Sequence, residues 1–261
     1  MGNHFELVTD VPYGSGAVER LDVYRPRHGG QLKPVIVFLH GGRWQRGSRD
    51  EYRLLGDALT AEGVVAVVPD SRRYPEVRFP LWVEDAARAV RWVRDSIAKF
   101  GGDPRRIFVM GHSSGAHSAT LLALDDHYLR DAGVPPSAVR GFISLAGPVA
   151  TTWTDPDVQA LMGPRETSSL TYPMEQVDGS PPPLLLLHGE RDRLVSPANS
   201  TRLAARIRER GGCSRVILYQ GLDHVGIVVA LALARFEIAP VLRDIVAFVR
   251  TAEADCRKAR R

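Results

Sequence analysis

The sequence predicts an α/β fold, a mostly parallel central sheet with helices on both faces. Three observations carry that prediction. Pro34–Leu39, Val64–Val68, Val139–Leu145 and Pro183–Gly189 are nearly continuous apolar runs, without the in–out alternation of a half-exposed strand, and so suit strands covered on both faces. Helical periodicity marks most of the stretches between strands. At one junction, Arg106-Ile107-Phe108-Val109-Met110-Gly111-His112-Ser113-Ser114-Gly115, an apolar strand gives way to a small-residue helix through a tight turn with G-x-S-x-G spacing.

Taken in order, Phe5–Thr9 and Val18–Tyr24 read as two strands joined by the turn Pro12-Tyr13-Gly14-Ser15-Gly16. Leu21 and Val23 alternate with polar neighbours, as on an antiparallel edge. Pro34–Leu39 is a buried strand that runs into His40-Gly41-Gly42-Arg43-Trp44. Glu51–Ala61 is helical, with Leu54, Leu55, Ala58 and Leu59 on one face. Val64–Val68 is the next strand and closes at Pro69-Asp70. Leu81–Phe100 is a long amphipathic helix, with Val83, Ala86, Ala87, Val90, Val93 and Ile97 at helical spacing and Gly101-Gly102-Asp103-Pro104 as its stop. The strand to Gly111 and the helix after it follow, then the strand Val139–Leu145.

Thr151–Pro183 is rich in Pro, Gly, Ser and Thr, has weak periodicity and is too long for a turn. It is expected to be a short cap or a decorated loop. The strand Pro183–Gly189, the helix Ala198–Arg210, the strand Arg215–Tyr219 and the helix Val241–Val249 complete the alternation. No repeat or linker divides the chain, so residues 1–261 are expected to form one domain, with about 150–183 as a cap-like insertion.

The 261 residues are 44% hydrophobic and 25% charged, enough for one large α/β core. The net charge is +4, but the charges alternate in sign along the chain and no basic stripe is interleaved with aromatics, which gives nucleic-acid binding no support. The run Arg257-Lys258-Ala259-Arg260-Arg261 reads as a solvated tail. Cys213 and Cys256 have no metal-ligand spacing and make no disulfide framework, which points to a reducing compartment. The polar start Met1–Glu6 lacks a signal-peptide core, and the apolar run Ile227–Leu233 is ended by Arg235 and Glu237 far short of a membrane span. A cytoplasmic protein without stable membrane association, a monomer or homodimer acting on a small molecule, is expected.

The chemistry begins at Ser113. Gly111 and Gly115 allow a turn too tight for side chains at those places, which lifts the serine hydroxyl above the sheet edge and aims the first helix N–H, that of Ser114, at whatever Ser113 attacks. A serine hydroxyl is a weak nucleophile at neutral pH and needs a base within hydrogen-bond reach. In a parallel sheet, loops after consecutive strands share one edge. Asp192, in Glu190-Arg191-Asp192-Arg193, follows one strand, and His224, in Gly221-Leu222-Asp223-His224-Val225-Gly226, follows the last. The order Ser, Asp, His fits a nucleophile, an orienting acid and a base. Ser114 is the rival nucleophile and Glu190 the rival acid. Asp223 reads as a turn residue. His40 and His188 read as strand-end residues that satisfy backbone groups, and His112, His117 and His127 as packing or surface residues. The expected oxyanion donors are backbone N–H groups of Gly42, Arg43 and Ser114. Gly41, Trp44, Trp82, His112, Val225 and Ile227, with the segment Thr151–Pro183, are expected to line or cover the pocket.

With His40-Gly41-Gly42-Arg43-Trp44, Leu21-Asp22-Val23-Tyr24, Gly101-Gly102-Asp103-Pro104-Arg105-Arg106-Ile107 and the Ser-Asp-His order, the chain resembles the α/β-hydrolase carboxylesterases of the HGGxW type. Among them it is similar to the small esterases that include isoprenylcysteine methylesterase, kynurenine formamidase and feruloyl-esterase-like groups. The resemblance runs from about Val18 to about Phe248. It implies an α/β-hydrolase fold and acyl hydrolysis without a metal or organic cofactor. Ser113, Asp192 and His224 fall on the triad, and Gly42, Arg43 and Ser114 on the oxyanion positions. It implies ester hydrolysis, with an arylformamidase as the close alternative; an acyltransferase or a non-enzymatic binding protein on the same fold stands further off. Two places depart from the pattern: Arg43, where the family mostly has a smaller or aromatic residue, and Asp70-Ser71-Arg72-Arg73-Tyr74-Pro75, where relatives often read DYRLxP. The Arg43 side chain either narrows the pocket or attracts an acidic acyl group, or else is a salt-bridged surface arginine.

Overall fold

The computed structural model describes residues 5–27, 30–179 and 181–259. Residues 1–4, His28, Gly29, Ser180, Arg260 and Arg261 lie outside the described residues, as do the side chains of residues 165–167 and 253–259, Cys256, Arg257 and Lys258 among them.

Among the described residues eight strands pair into one sheet. They are β1 (Phe5–Pro12), β2 (Arg20–Pro26), β3 (Lys33–Leu39), β4 (Val65–Pro69), β5 (Gly102–His112), β6 (Val139–Leu145), β7 (Leu184–Gly189) and β8 (Ser214–Tyr219). Their spatial order is β1-β2-β4-β3-β5-β6-β7-β8. β1 and β2 pair antiparallel, as do β2 and β4; every pairing from β4 to β8 is parallel. β5, which leads into Ser113, sits between β3 and β6, with Leu39 opposite Gly111 and Leu145 opposite His112. The ends of β3, β5, β6, β7 and β8 therefore open on one edge.

Alternate residues of the central strands feed two cores. Val35, Val37, Val65, Val67, Ile107 and Val109 pack with α2 (Leu81–Ser96), α3 (Ser114–Leu124) and α6 (Ala198–Glu209). Ile36, Phe38, Ala66, Val68, Phe108 and Met110 pack with α1 (Arg53–Ala61), α7 (Gly226–Ala232) and α8 (Val241–Ala259). This two-sided burial explains the continuous apolar runs, since each fully buried Val, Leu, Ile, Phe or Met contributes about 1.5–3 kcal/mol. α3 is buried along its whole length, so its small residues are what let it lie against the sheet.

Several boundaries differ from the sequence reading. Gly102–Pro104 belong to β5 rather than to a helix stop, because glycine permits close approach there: a Cβ on Gly102 would stand 2.6 Å from Ile97 and 2.7 Å from Val35. Two short helices carry too little periodicity to be read from the sequence: α4 (His127–Asp131), and α5 (Pro156–Met162) within the 151–183 segment. α7 follows the His224 loop directly. The reading that the cysteines make no disulfide framework is corrected: Cys213 is disulfide-bonded. The redox argument for a reducing compartment falls with it. Among the described residues, no helix is long and apolar enough to cross a membrane.

Candidate active site

β5 ends at His112 and α3 begins at Ser114, leaving Ser113 in the turn with φ 53° and ψ −118°, a conformation non-glycine residues rarely adopt. Packing enforces it. A Cβ on Gly111 would meet the Gly115 carbonyl oxygen at 2.2 Å, and one on Gly115 would meet that of Leu39 at 2.0 Å. The Ser113 N–H donates to the Leu145 carbonyl (3.0 Å), and its own carbonyl accepts from the His117 N–H (3.1 Å).

Three side chains distant in sequence meet at this turn. Ser113 Oγ lies 2.9 Å from His224 Nε2, and His224 Nδ1 lies 2.7 Å from Asp192 Oδ2. Hydrogen-bond logic sets the tautomer: Nδ1–H donates to the carboxylate, which leaves Nε2 free to accept the serine O–H. The loops carrying Asp192 and His224 are pressed together, since a Cβ on Gly189 would stand 2.3 Å from the Leu222 carbonyl oxygen and the Arg191 N–H donates to that same oxygen (2.9 Å). Asp192 is buried and fully engaged. Its Oδ1 accepts the N–H groups of Leu194 (2.9 Å) and Val195 (2.8 Å), and its Oδ2 is also approached by His188 Nε2 (3.2 Å). Of the rivals, Glu190 is exposed, and Asp223 accepts the Gly226 N–H (2.7 Å) at the start of α7 as a turn residue would.

The glycine loop after β3 runs beside the serine. A Cβ on Gly41 would stand 3.3 Å from the Ser113 Cβ and 3.0 Å from His112 Nδ1. Gly42, Arg43 and Trp44 all have positive φ (131°, 55° and 59°), and the Gly42 carbonyl accepts the N–H groups of Gln45 and Arg46, both at 3.0 Å. Gly42 has no alternative here: a Cβ would lie 1.9 Å from the Arg46 carbonyl oxygen. Beneath this loop, Arg49 is bonded to Asp10, Asp22 and Asp70, and His40 Nε2 lies 3.4 Å from Asp70. Burial pushes the Asp70 carboxyl up, but its bonds to His40 and Arg49 outweigh that and hold it below the usual carboxylate range.

The Arg43 side chain forms an ion pair with Asp155 (2.7 Å), the residue that also caps α5. It is thus a half-exposed salt-bridged arginine that ties the glycine loop to the 151–183 segment. Trp153 of that segment packs edge-on against Trp44 and His117, with ring centroids 5.7 and 5.5 Å away, and its indole N–H donates to Thr171 Oγ1 (2.6 Å).

The expected pocket residues separate into groups. Gly41, Trp44 and Trp82 line a small cavity of about 30 Å³ with Ser114, Gly115 and Ser118. Val225 is exposed and lines a wide surface groove of about 710 Å³ with Asp192 and His224. His112 is buried behind His224, where its Nε2–H donates to the His224 carbonyl (2.9 Å). Burial, reinforced by the nearby His224, lowers its pKa to about 4, so it is neutral at ordinary pH. Ile227 is a correction. It is fully buried in the core, because the apolar face of α7, with Ala230 and Leu231, turns inward. Sequence reading also passed over His188 as a partner of Asp192, although its place at the end of β7, four residues earlier, was a usable signal. Among the described residues no cluster of three or more His, Cys, Asp or Glu is placed to hold a metal ion.

The sheet order, the turn at Ser113 and the loops on the carboxyl edge define the class: an α/β-hydrolase fold, with esterases among the curated relatives. More narrowly, the chain belongs to the BD-FAE family, whose model matches residues 21–207. It is 28% identical over 240 residues to the probable isoprenylcysteine alpha-carbonyl methylesterase ICMEL1 of Arabidopsis thaliana, covering 82% of this chain and 50% of that protein. It is 29% identical over 229 residues to esterase LipQ of Mycobacterium tuberculosis, covering 79% of this chain and 54% of that protein. The chain thus spans about half the length of these curated relatives. A truncated carbohydrate esterase from gut microbiota shares the fold, with a TM-score of 0.82 at 22% identity over 97% of this chain and 99% of that one.

Proposed function

We propose that the protein is a serine carboxylesterase that cleaves small carboxylic esters through an acyl-enzyme. The observation that carries the reading is the unbroken chain of hydrogen bonds from Ser113 Oγ through His224 to the buried Asp192. His224 Nε2 takes the hydroxyl proton as Ser113 Oγ attacks the ester carbonyl. Asp192 holds the imidazole in the required tautomer and stabilises the imidazolium that forms. The oxyanion is met by the backbone N–H groups of Ser114 and of the loop residues Gly42 and Arg43, each donor being worth about 3 kcal/mol in the transition state. His224 then gives its proton to the departing alkoxide, the ester C–O bond breaks, and the acyl group stays on Ser113. Water, deprotonated by His224, attacks the acyl-enzyme and releases the acid.

In the same reading, the protein is one α/β-hydrolase domain in which residues 150–183 form a cap-like insertion, tied to the glycine loop through Arg43 and Asp155. Esterases are named among the curated relatives, which puts ester hydrolysis ahead of formamide cleavage.

The test is release of p-nitrophenol from acetate, butyrate and octanoate esters by the wild type and Ser113→Ala, across about pH 5 to 9. Turnover that vanishes in the variant and falls on the acid side in the wild type supports the reading. Equal rates in both proteins, or none in either, overturn it.

A further inference from the structure

Asp192 serves two histidines. Its Oδ2 lies 2.7 Å from His224 Nδ1 and 3.2 Å from His188 Nε2. His188 is fully buried at the end of β7, and its ring is held on both sides. Nε2 faces two acceptors, Asp192 Oδ2 and the Val195 carbonyl (2.9 Å), so it carries the proton. Nδ1 is then the bare nitrogen and accepts the hydroxyl proton of Ser200 (2.8 Å), a fully buried residue of α6. Burial lowers the affinity of His188 for a second proton, which keeps the ring neutral. The arrangement is asymmetric. His224 has an open side toward Ser113, whereas every nitrogen of His188 is committed.

Resting on the proposed esterase reading, we propose that His188 is a positioning residue that sets the basicity of His224, and that Ser200 fixes the tautomer in which it does so. A carboxylate oxygen that already accepts one N–H has less negative charge to offer the imidazolium of His224. With the His188 bond in place, His224 gives up its proton at lower pH than it would beside an otherwise free Oδ2. His224 then stands as a neutral base over a wider range of pH. The other titratable or charged groups around the two side chains are His112, packed against His224, and Glu190, Arg191, Arg193 and Asp223 on the groove beside Asp192. Of these, His112 stays neutral and the rest share a groove open to solvent, so their influence on His224 is screened and unchanged by substitution at His188.

The test compares pH profiles of kcat/KM on p-nitrophenyl acetate for the wild type, His188→Leu, His188→Gln and Ser200→Ala, with Ser113→Ala as the blank. In His188→Leu the acid limb should move up by roughly half to one pH unit, so that the rate falls several-fold near pH 6 and returns toward the wild-type value near pH 9. His188→Gln, whose amide N–H can still reach Oδ2, should recover most of the profile. Ser200→Ala should move the limb in the same direction but less. A uniform loss at every pH, or a limb that stays in place or moves down, overturns the proposal. If His188→Leu does not fold, as judged by circular dichroism, Ser200→Ala and His188→Gln decide it: a Ser200→Ala limb that stays in place, or a His188→Gln limb displaced like a full loss, counts against it. Wild-type turnover that Ser113→Ala leaves untouched would instead overturn the underlying esterase reading.

Discussion

His224 Nε2 and Ser113 Oγ are 2.9 Å apart, although 111 residues separate them in the chain. The parallel sheet makes this contact possible by ending β5 and β8 on the same edge. Replacing His224 by Ala removes the proposed base while leaving Ser113 in its strained turn. Turnover of p-nitrophenyl butyrate should fall by about 10⁴-fold or more, with KM changed far less than kcat. A loss confined to KM would mean that His224 only binds substrate.

Gly42 is the place where one methyl group should do most harm. Its φ is 131°, and a Cβ would stand 1.9 Å from the Arg46 carbonyl oxygen. Gly42→Ala is expected to cost on the order of 1–3 kcal/mol of stability and to displace the loop backbone beside Ser113. Urea unfolding and kcat together check this: both should drop. Unchanged kcat in a folded variant would remove this loop from transition-state stabilisation.

Arg43 and Asp155 should act as a pair. Each is half exposed, so neither Arg43→Ala nor Asp155→Ala should move the melting temperature much. Both should change the ratio of acetate to octanoate turnover in the same direction, and the double variant should add little to either alone. Additive effects of opposite sign would show that Arg43 works on the substrate independently of the 151–183 segment.

Acid should begin to destabilise the fold through two buried histidines. Burial is the main cause that lowers the pKa of both His112 and His117 to about 4, against an ordinary 6.5. Below pH 6.5 the unfolded chain therefore binds protons that the folded chain refuses. The stability is fully present above that pH and is lost as pH falls toward 4, by about 1–3 kcal/mol for each ring. His117→Gln keeps a donor for the Thr171 carbonyl but cannot titrate, so urea unfolding at pH 7 and pH 4.5 should show a flatter dependence. An unchanged slope would assign the acid sensitivity elsewhere.

Much of this arrangement was legible in the sequence for a physical reason. Strands buried on both faces need unbroken apolar runs, and the turn at Ser113 needs glycine at 111 and 115, because the Gly115 and Leu39 carbonyls occupy the space of a side chain there. Side-chain direction was less legible. Val225 and Ile227 are two residues apart beside the same histidine, yet one is exposed and the other is core, since a helix begins between them. The Arg43–Asp155 pair depends on how a distant loop folds back across the sheet edge, which no local pattern records.

The most direct measurement is mass spectrometry of the intact and digested protein after reaction with an aryl alkylphosphonate ester. The account predicts one phosphonyl group per chain, carried on Ser113, with loss of turnover in proportion to labelling and no label in Ser113→Ala. Label on Ser114 or elsewhere, or full turnover after complete labelling, would contradict it.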